Sequence, residues 1–204
     1  INIVRITLMN KTLLISATAR SGKDLLTKNF IKFFAENGIF AKRYAFADEL
    51  KRKLDPLFLL NHGISAFTED VKEKPLIRGM LLAYGKMCRD IDPYFWVKII
   101  RAKIKENEKS HIAIISDHRY PNESLMFEDK VTINITRLNT DGESPPVGED
   151  EKINMPILKQ MADYKFYWTD CGDDLNKCEV LARELFNEIF SPRIKDFQEK
   201  FPII

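Results

Sequence analysis

The sequence predicts an α/β fold: a parallel sheet covered by helices on both faces, with one oversized helical insertion. Three observations lead to it. Apolar segments of strand length alternate with helical patterns along the whole chain, the pattern of a parallel sheet with crossover helices. The first such strand runs into a small-residue turn that ends in Ser21-Gly22-Lys23 and is followed by a helix. Between the second and third strands about 60 residues intervene, far more than a simple crossover needs.

Taken in order, Thr12 to Ile15 reads as a short buried strand. Met9-Asn10-Lys11 stands just before it, which suits either an initiator at Met9 with Ile1 to Leu8 as an extension or a longer first strand. Leu26, Phe30, Phe33 and Phe34 then fall at helical spacing, and Asn37-Gly38 is a stop signal. Ile39 to Phe46 is the second strand. Helical patterns follow at Glu49–Leu60, Pro75–Arg89 and Pro93–Lys105; Pro75 and Pro93 suit first-turn positions, and Asp92 is a good N-cap. His111 to Ser116 is a strongly apolar third strand, and Asn122 to Glu128 a short helix with Asn122 as its cap. Val131 to Thr136 and Lys165 to Trp168 are the fourth and fifth strands, and Leu175 to Phe190 is the closing helix.

Length and composition bound the organisation. With 204 residues, 45% of them hydrophobic, the chain can bury one sizeable core, so residues 1–204 read as a single domain. The net charge of +2, from 32 basic and 30 acidic residues, supplies no global field toward nucleic acid or membrane, and neither is expected as a partner. Cys88, Cys171 and Cys178 are odd in number and widely spaced; they fit partly buried thiols in a reducing compartment better than a disulfide or zinc framework. No apolar run approaches the ~20 residues that span a bilayer. With no signal-peptide pattern at the amino end, a cytoplasmic location is expected, the host cytoplasm if the protein is viral.

The turn carries the first chemistry. Ala17-Thr18-Ala19-Arg20-Ser21-Gly22-Lys23-Asp24 sits between an apolar strand and a helix, where consecutive backbone N–H groups and the positive helix end converge on one concavity. Polyphosphate is the natural occupant. The usual signature has Gly, four residues, then Gly-Lys-Ser/Thr. Here Ala17 replaces the first Gly and Asp24 the hydroxyl residue, while Gly22 and Lys23 remain.

The insertion, 47–107, is a candidate substrate lid. Asp48 and Lys51 follow the second strand's end, where ligands of open α/β sheets gather. Arg78, Tyr84, Arg89 and Trp96 come afterwards at roughly helical intervals; arginine forks suit phosphate oxygens, and a ring offers a face for a base. Singly, each Arg reads as a solvated helix face and Trp96 as a core aromatic. Their clustering in one insertion brings the binding reading level with the other. The third strand runs into Ser116-Asp117-His118-Arg119-Tyr120-Pro121-Asn122-Glu123. An acidic residue there can hold Mg²⁺ through water or orient a substrate, and Arg119 can neutralise a transferring phosphoryl group. His118, a loop histidine without a partner in the sequence, reads as incidental.

These segments together resemble a known family. Ala19 to Asp24, Phe46-Ala47-Asp48 with Leu50-Lys51, Arg89 before Asp92 to Val97, and Ser116 to Glu123 look like the phage-type deoxynucleoside monophosphate kinases. Ile135-Thr136-Arg137, Ala162-Asp163-Tyr164 and Asp170-Cys171-Gly172 are similar to that family's adenine-side segments. The resemblance spans roughly residues 10 to 190, and it implies a P-loop kinase fold with a five-stranded parallel sheet in the order 2-3-1-4-5. It also accounts for Asp24, since members carry Lys-Asp at this point. Two features differ: Leu25 stands where the family carries Thr, and between Leu138 and Asn154 the chain reads Asp141-Gly142-Glu143-Ser144-Pro145-Pro146 instead of a His and a Ser-Glu pair.

The activity so implied is ATP-dependent phosphorylation of a deoxynucleoside 5′-monophosphate with Mg²⁺. Lys23, Asp24 and Arg119 would be catalytic. Residues Ala17 to Leu25, Arg137, Asp170 and Gly172 would bind ATP, with 137–156 as the lid region. Asp48, Lys51, Arg78, Arg89, Trp96, Asp117, Arg119 and Glu123 would bind the acceptor, and Asp24 and Asp117 would organise the metal. Related enzymes suggest a homodimer. Two alternatives use the same residues: another small-molecule kinase of the dephospho-coenzyme A or sugar-acid type, and a nucleotide-binding regulatory protein without turnover, which Leu25 and the altered lid would suit.

Overall fold

The computed structural model describes residues 12–107, 111–139, 142–143, 148–169 and 175–200. The chain divides into two compact units, one formed by 1–43 with 108–204 and the other by 44–107. The sequence reading starts the insertion at 47 within a single domain; the division falls three residues earlier.

The first unit is built on β1 (Thr12–Ala17), a strand buried at all six positions. Apolar and β-branched side chains on both faces are what a central parallel strand requires. Its neighbours are β3 (Ile112–Ile115) and β4 (Lys130–Asn139); Leu13 lies opposite Ile114 on one side and Val131 on the other. Outside these lie β2 (Ala41–Tyr44) beside β3, and β6 (Tyr164–Thr169) parallel to β4. Five parallel strands thus stand in the expected spatial order, flanked by helices. A two-residue strand, β5 (Gly142–Glu143), adds an antiparallel ribbon to the end of β4.

Helix α1 (Lys23–Glu36) covers the sheet with Leu26, Phe30, Phe33 and Phe34, all fully buried. It packs on α6 (Leu175–Lys200), whose Phe186 and Phe190 meet Phe34 edge-on at 4.9 Å between ring centroids. Arg183 of α6 lies 3.9 Å over the Phe33 ring and bonds Glu36, holding that exposed carboxyl below the usual carboxylate range. Cys178 is buried in this core. One further helix, α5 (Glu149–Met161), lies in the region read as a lid and has no counterpart in the elements expected from sequence.

The second unit holds α2 (Phe46–His62), α3 (Lys74–Ile91) and α4 (Phe95–Glu106). Leu54, Phe58, Ala66 and Ile77 form its apolar centre, with Tyr84 packed against it. Buried Glu49 pairs with Arg52 and Lys103, tying α2 to α4. Cys88 is buried here.

Several expected boundaries need correction. The second strand stops at Tyr44 because Ala45 is the extended N-cap residue of α2, so Phe46 is helical. Asp92 does not cap α4: it ends α3, and its Oδ1 instead accepts the Tyr94 N–H at 3.0 Å while Phe95 N–H bonds its carbonyl at 2.9 Å. Pro93 therefore lies in that turn and not in the first turn of α4, which begins at Phe95. Pro75 does occupy the first turn of α3. The stretch 122–128 forms only a 3₁₀ turn, Pro121–Ser124, and its capping residue is Tyr120, not Asn122.

Candidate functional site

The centre of the site is the turn after β1. Gly22, the N-cap of α1, has φ 80°, a left-handed conformation that glycine adopts without steric cost. A Cβ at Gly22 would lie 3.7 Å from the Trp168 ring of β6, so the indole backs the loop closely. Arg20 also has positive φ, at 63°, a strained position for a residue with a side chain. Left-handed residues stand on either side of Ser21, and a left-handed residue within a tight turn is an ingredient of anion-binding nests. Thr18 and buried Ser21 close the turn through a 2.6 Å hydroxyl pair.

Beyond the turn, Lys23, Asp24 and Leu25 form the first turn of α1, ahead of its first intrahelical bond, Leu26 N–H to Gly22 O at 3.0 Å. Gly22 offers no side-chain cap, so this helix end presents backbone N–H groups and its positive dipole to an anion. Leu25 packs its side chain against the core, which leaves its backbone amide as the group it can offer a phosphate. Ala17 is the buried end of β1, Thr18 and Ala19 are half-buried, and Asp24 is exposed.

Strand order brings two more segments to this end of the sheet. The loop after β3 is stitched to β1 by His118 N–H bonding Ile15 O at 3.1 Å. Asp117 is buried within it, and Arg119 is half-exposed. From β4, Arg137 donates through Nη1 to the Arg20 carbonyl at 2.9 Å. Beneath the loop, buried Ser16 of β1 bonds the Ile133 carbonyl at 3.2 Å and accepts from Asn134 Nδ2 at 3.0 Å, a polar link between the two strands.

Lys23, Asp117, Arg119 and Arg137 thus come from the ends of three adjacent parallel strands, where ligands of open α/β sheets bind. Among the described residues no three His, Cys, Asp or Glu side chains cluster as a metal site. Asp24 is exposed and Asp117 buried; Mg²⁺ in general keeps several waters and takes one or two carboxylates together with substrate phosphates.

Three expected roles are corrected. Trp96 is only 2% exposed; its indole N–H donates to the Gly85 carbonyl at 3.3 Å, and its ring meets Phe95 and Tyr84 edge-on. A ring so enclosed is a core aromatic and has no face for a base. Glu123 is buried and accepts from the backbone N–H groups of Arg119 at 2.8 Å and Tyr120 at 3.0 Å. Its carboxylate shapes the loop and is not free for substrate. Asp163, in a segment expected on the adenine side, accepts from Thr132 N–H and Oγ1, both at 2.8 Å. It fastens β6 to the start of β4, the opposite end of the sheet from the phosphate turn.

In the second unit, Asp48 is half-buried in the first turn of α2, Lys51 lies 5.4 Å over the Phe67 ring, Arg78 is exposed and Arg89 half-buried on α3. Asp170, Cys171 and Gly172, Asp141, and Ser144 to Pro146 lie outside the described residues.

Two buried residues that the sequence did not single out lie in or against the segments around the turn. His118 is 3% exposed, and among the described residues neither imidazole nitrogen has a hydrogen-bond partner. Burial pushes it down to about 4; the charge of Lys130 acts in the same direction and the nearby Tyr120 backbone against it. Glu151, in the first turn of α5, is 7% exposed and lies beside both Arg119 and the phosphate turn.

The strand order is the 2-3-1-4-5 order that the sequence leads one to expect. No protein-family model matches the chain, and no curated protein matches it in sequence. Among solved structures, it is similar to a shikimate kinase from Acinetobacter baumannii in complex with shikimate, at 12% identity and a TM-score of 0.47, covering 92% of this chain and 97% of that one.

Proposed function

We propose that this protein transfers the γ-phosphoryl group of ATP to the 5′-phosphate of a deoxynucleoside monophosphate. The observation that supports this best is the left-handed Arg20 and Gly22 turn leading into Lys23, with Arg119 and Arg137 on the neighbouring strand ends. The acceptor class rests on the resemblance of the quoted segments to phage-type kinases.

In the reaction, an acceptor phosphate oxygen bonds the γ-phosphorus as its bond to the β–γ bridging oxygen breaks, giving ADP and a diphosphate. Such transfer asks little covalent chemistry of a protein and depends on in-line positioning and compensation of charge. The turn amides and Lys23 would hold the β- and γ-phosphates, and Arg137 would lie over them. Arg119 would hold the oxygens of the transferring group. Mg²⁺ would neutralise the β- and γ-oxygens. Asp24 and Asp117 would hold its waters. By the family resemblance, Asp48, Lys51, Arg78 and Arg89 would recognise the acceptor.

An ATP-consumption assay with each of the four deoxynucleoside monophosphates, and with dephospho-coenzyme A and sugar acids as other acceptors, tests the reading. Turnover with at least one monophosphate is expected, and Lys23→Ala should lower it at least ~10³-fold, because one preorganised charge on a transition state contributes a few kcal/mol. Turnover with the other acceptors alone would assign a different kinase. ATP binding without turnover would assign a regulatory protein, and near-normal activity of a folded Lys23→Ala would remove the P-loop role.

A further inference from the structure

We infer that Glu151 is a positioning residue that holds Arg119 and the phosphate turn in register. Its two carboxylate oxygens reach different segments: Oε1 accepts from Arg119 Nη1 at 3.3 Å and Oε2 from the Ala19 N–H at 3.4 Å. These segments follow two adjacent strands, β3 and β1, and the carboxylate arrives from a third element, α5. The neighbouring Asp150 ties the same helix end to the same loop, accepting from Tyr120 Oη at 2.6 Å.

The burial of Glu151 is the reason to read this contact as functional. A carboxylate 92% withdrawn from water carries a large desolvation cost, offset only by good partners. It is moreover a negative charge placed next to a loop built to receive phosphates, where repulsion works against it. A carboxylate in that position is useful if it organises cations and amides that the phosphates will meet. The contact uses one edge of the guanidinium; the fork has five N–H donors, and the Arg119 side chain remains 47% exposed, so other donors can still meet an anion. An arginine already fixed on one edge loses less conformational freedom when it engages phosphate.

This inference rests on the phosphoryl-transfer reading, so its test has one arm that does not depend on activity. Glu151→Gln keeps shape and removes charge; Glu151→Asp keeps charge and shortens the reach. In ligand-free protein, hydrogen exchange of the segments 17–22 and 117–120 should rise in Glu151→Gln while segments in α6 stay unchanged. Unchanged exchange in both segments overturns the proposal whatever the enzyme does.

In the activity arm, Glu151→Gln should lower kcat about 10- to 100-fold with the ATP KM altered less than about threefold, since the Arg119 contact that is weakened serves mainly the transition state and the turn keeps its other amides. In an Arg119→Ala background the same change should cost clearly less than in the parent, because the part that acts through Arg119 is already lost and only the Ala19 contact remains. Glu151→Asp should recover part of the loss. Additive losses, or a loss confined to KM, overturn the assignment. Should Glu151→Gln unfold, Glu151→Asp carries both arms with the same expected directions. Absence of turnover in the parent protein would refute the proposed function and leave the exchange arm to decide on Glu151.

Discussion

Buried His118, in the loop after β3, makes stability depend on pH in a window that ordinary carboxylates do not reach. His118 falls from 6.5 to about 4 on folding, chiefly through burial. Between those values the unfolded chain binds a proton that the folded chain refuses, so stability is complete above 6.5 and is lost as pH falls toward 4. The full difference corresponds to about 3 kcal/mol, and about 2 kcal/mol of it is already lost at pH 5. The carboxylates whose pKa is lowered, Glu36, Glu69, Asp92 and Glu179, start from 4.5 or 3.8, so their contributions fade only at lower pH.

Urea unfolding at pH 8, 7, 6 and 5 should therefore show the midpoint of the parent protein falling by on the order of 1 M between pH 8 and pH 5. His118→Leu removes the titrating group and keeps an apolar side chain at this buried position. Its midpoint should change little over the same range. Parallel losses in the two proteins would refute the reasoning, because some other group would then be responsible.

Two further outcomes distinguish the parts of the site. Arg119→Lys keeps the charge but loses the planar fork, and should lower turnover by about 10²-fold with every monophosphate alike; steady-state kinetics across the four acceptors check this, and base-dependent losses would count against a phosphate-clamping role. Trp96→Ala should destabilise the protein by about 3–5 kcal/mol by opening a cavity in the helical unit; thermal unfolding measures that loss, and a stably folded variant with altered base preference would restore the stacking role that its burial argues against.

How much was legible in the sequence follows from how local each determinant is. Strands β1, β3, β4 and β6 announce themselves through apolar runs of strand length, and Gly22-Lys23 through residue types that one turn demands. Helix α5 was not foreseen because Pro156 sits in its interior and Ile153, Ile157 and Met161 are exposed, which blurs the apolar stripe that only Met155 and Leu158 complete. Trp96 was misread because a tryptophan at helical spacing is the same letter whether it stacks on a ligand or fills a core; the Gly85 carbonyl that receives its N–H lies 11 residues away. Trp168 gave no hint of backing Gly22, since that contact depends on β6 lying beside β4.

The carboxylates around Arg119 show what tertiary placement adds. From sequence, Glu123 is a substrate ligand close to an arginine, and Glu151 is a charge in a region without an assigned element. In the fold their roles differ: Glu123 Oε2 takes the Arg119 backbone N–H at 2.8 Å, and Glu151 Oε1 takes its guanidinium at 3.3 Å. One carboxylate thus fixes where the residue leaves the loop and the other where its side chain ends. Two anchors, one on the backbone and one on the guanidinium, leave the long arginine few rotamers to lose, so that under the proposed phosphoryl transfer it would meet the transferring group already largely oriented.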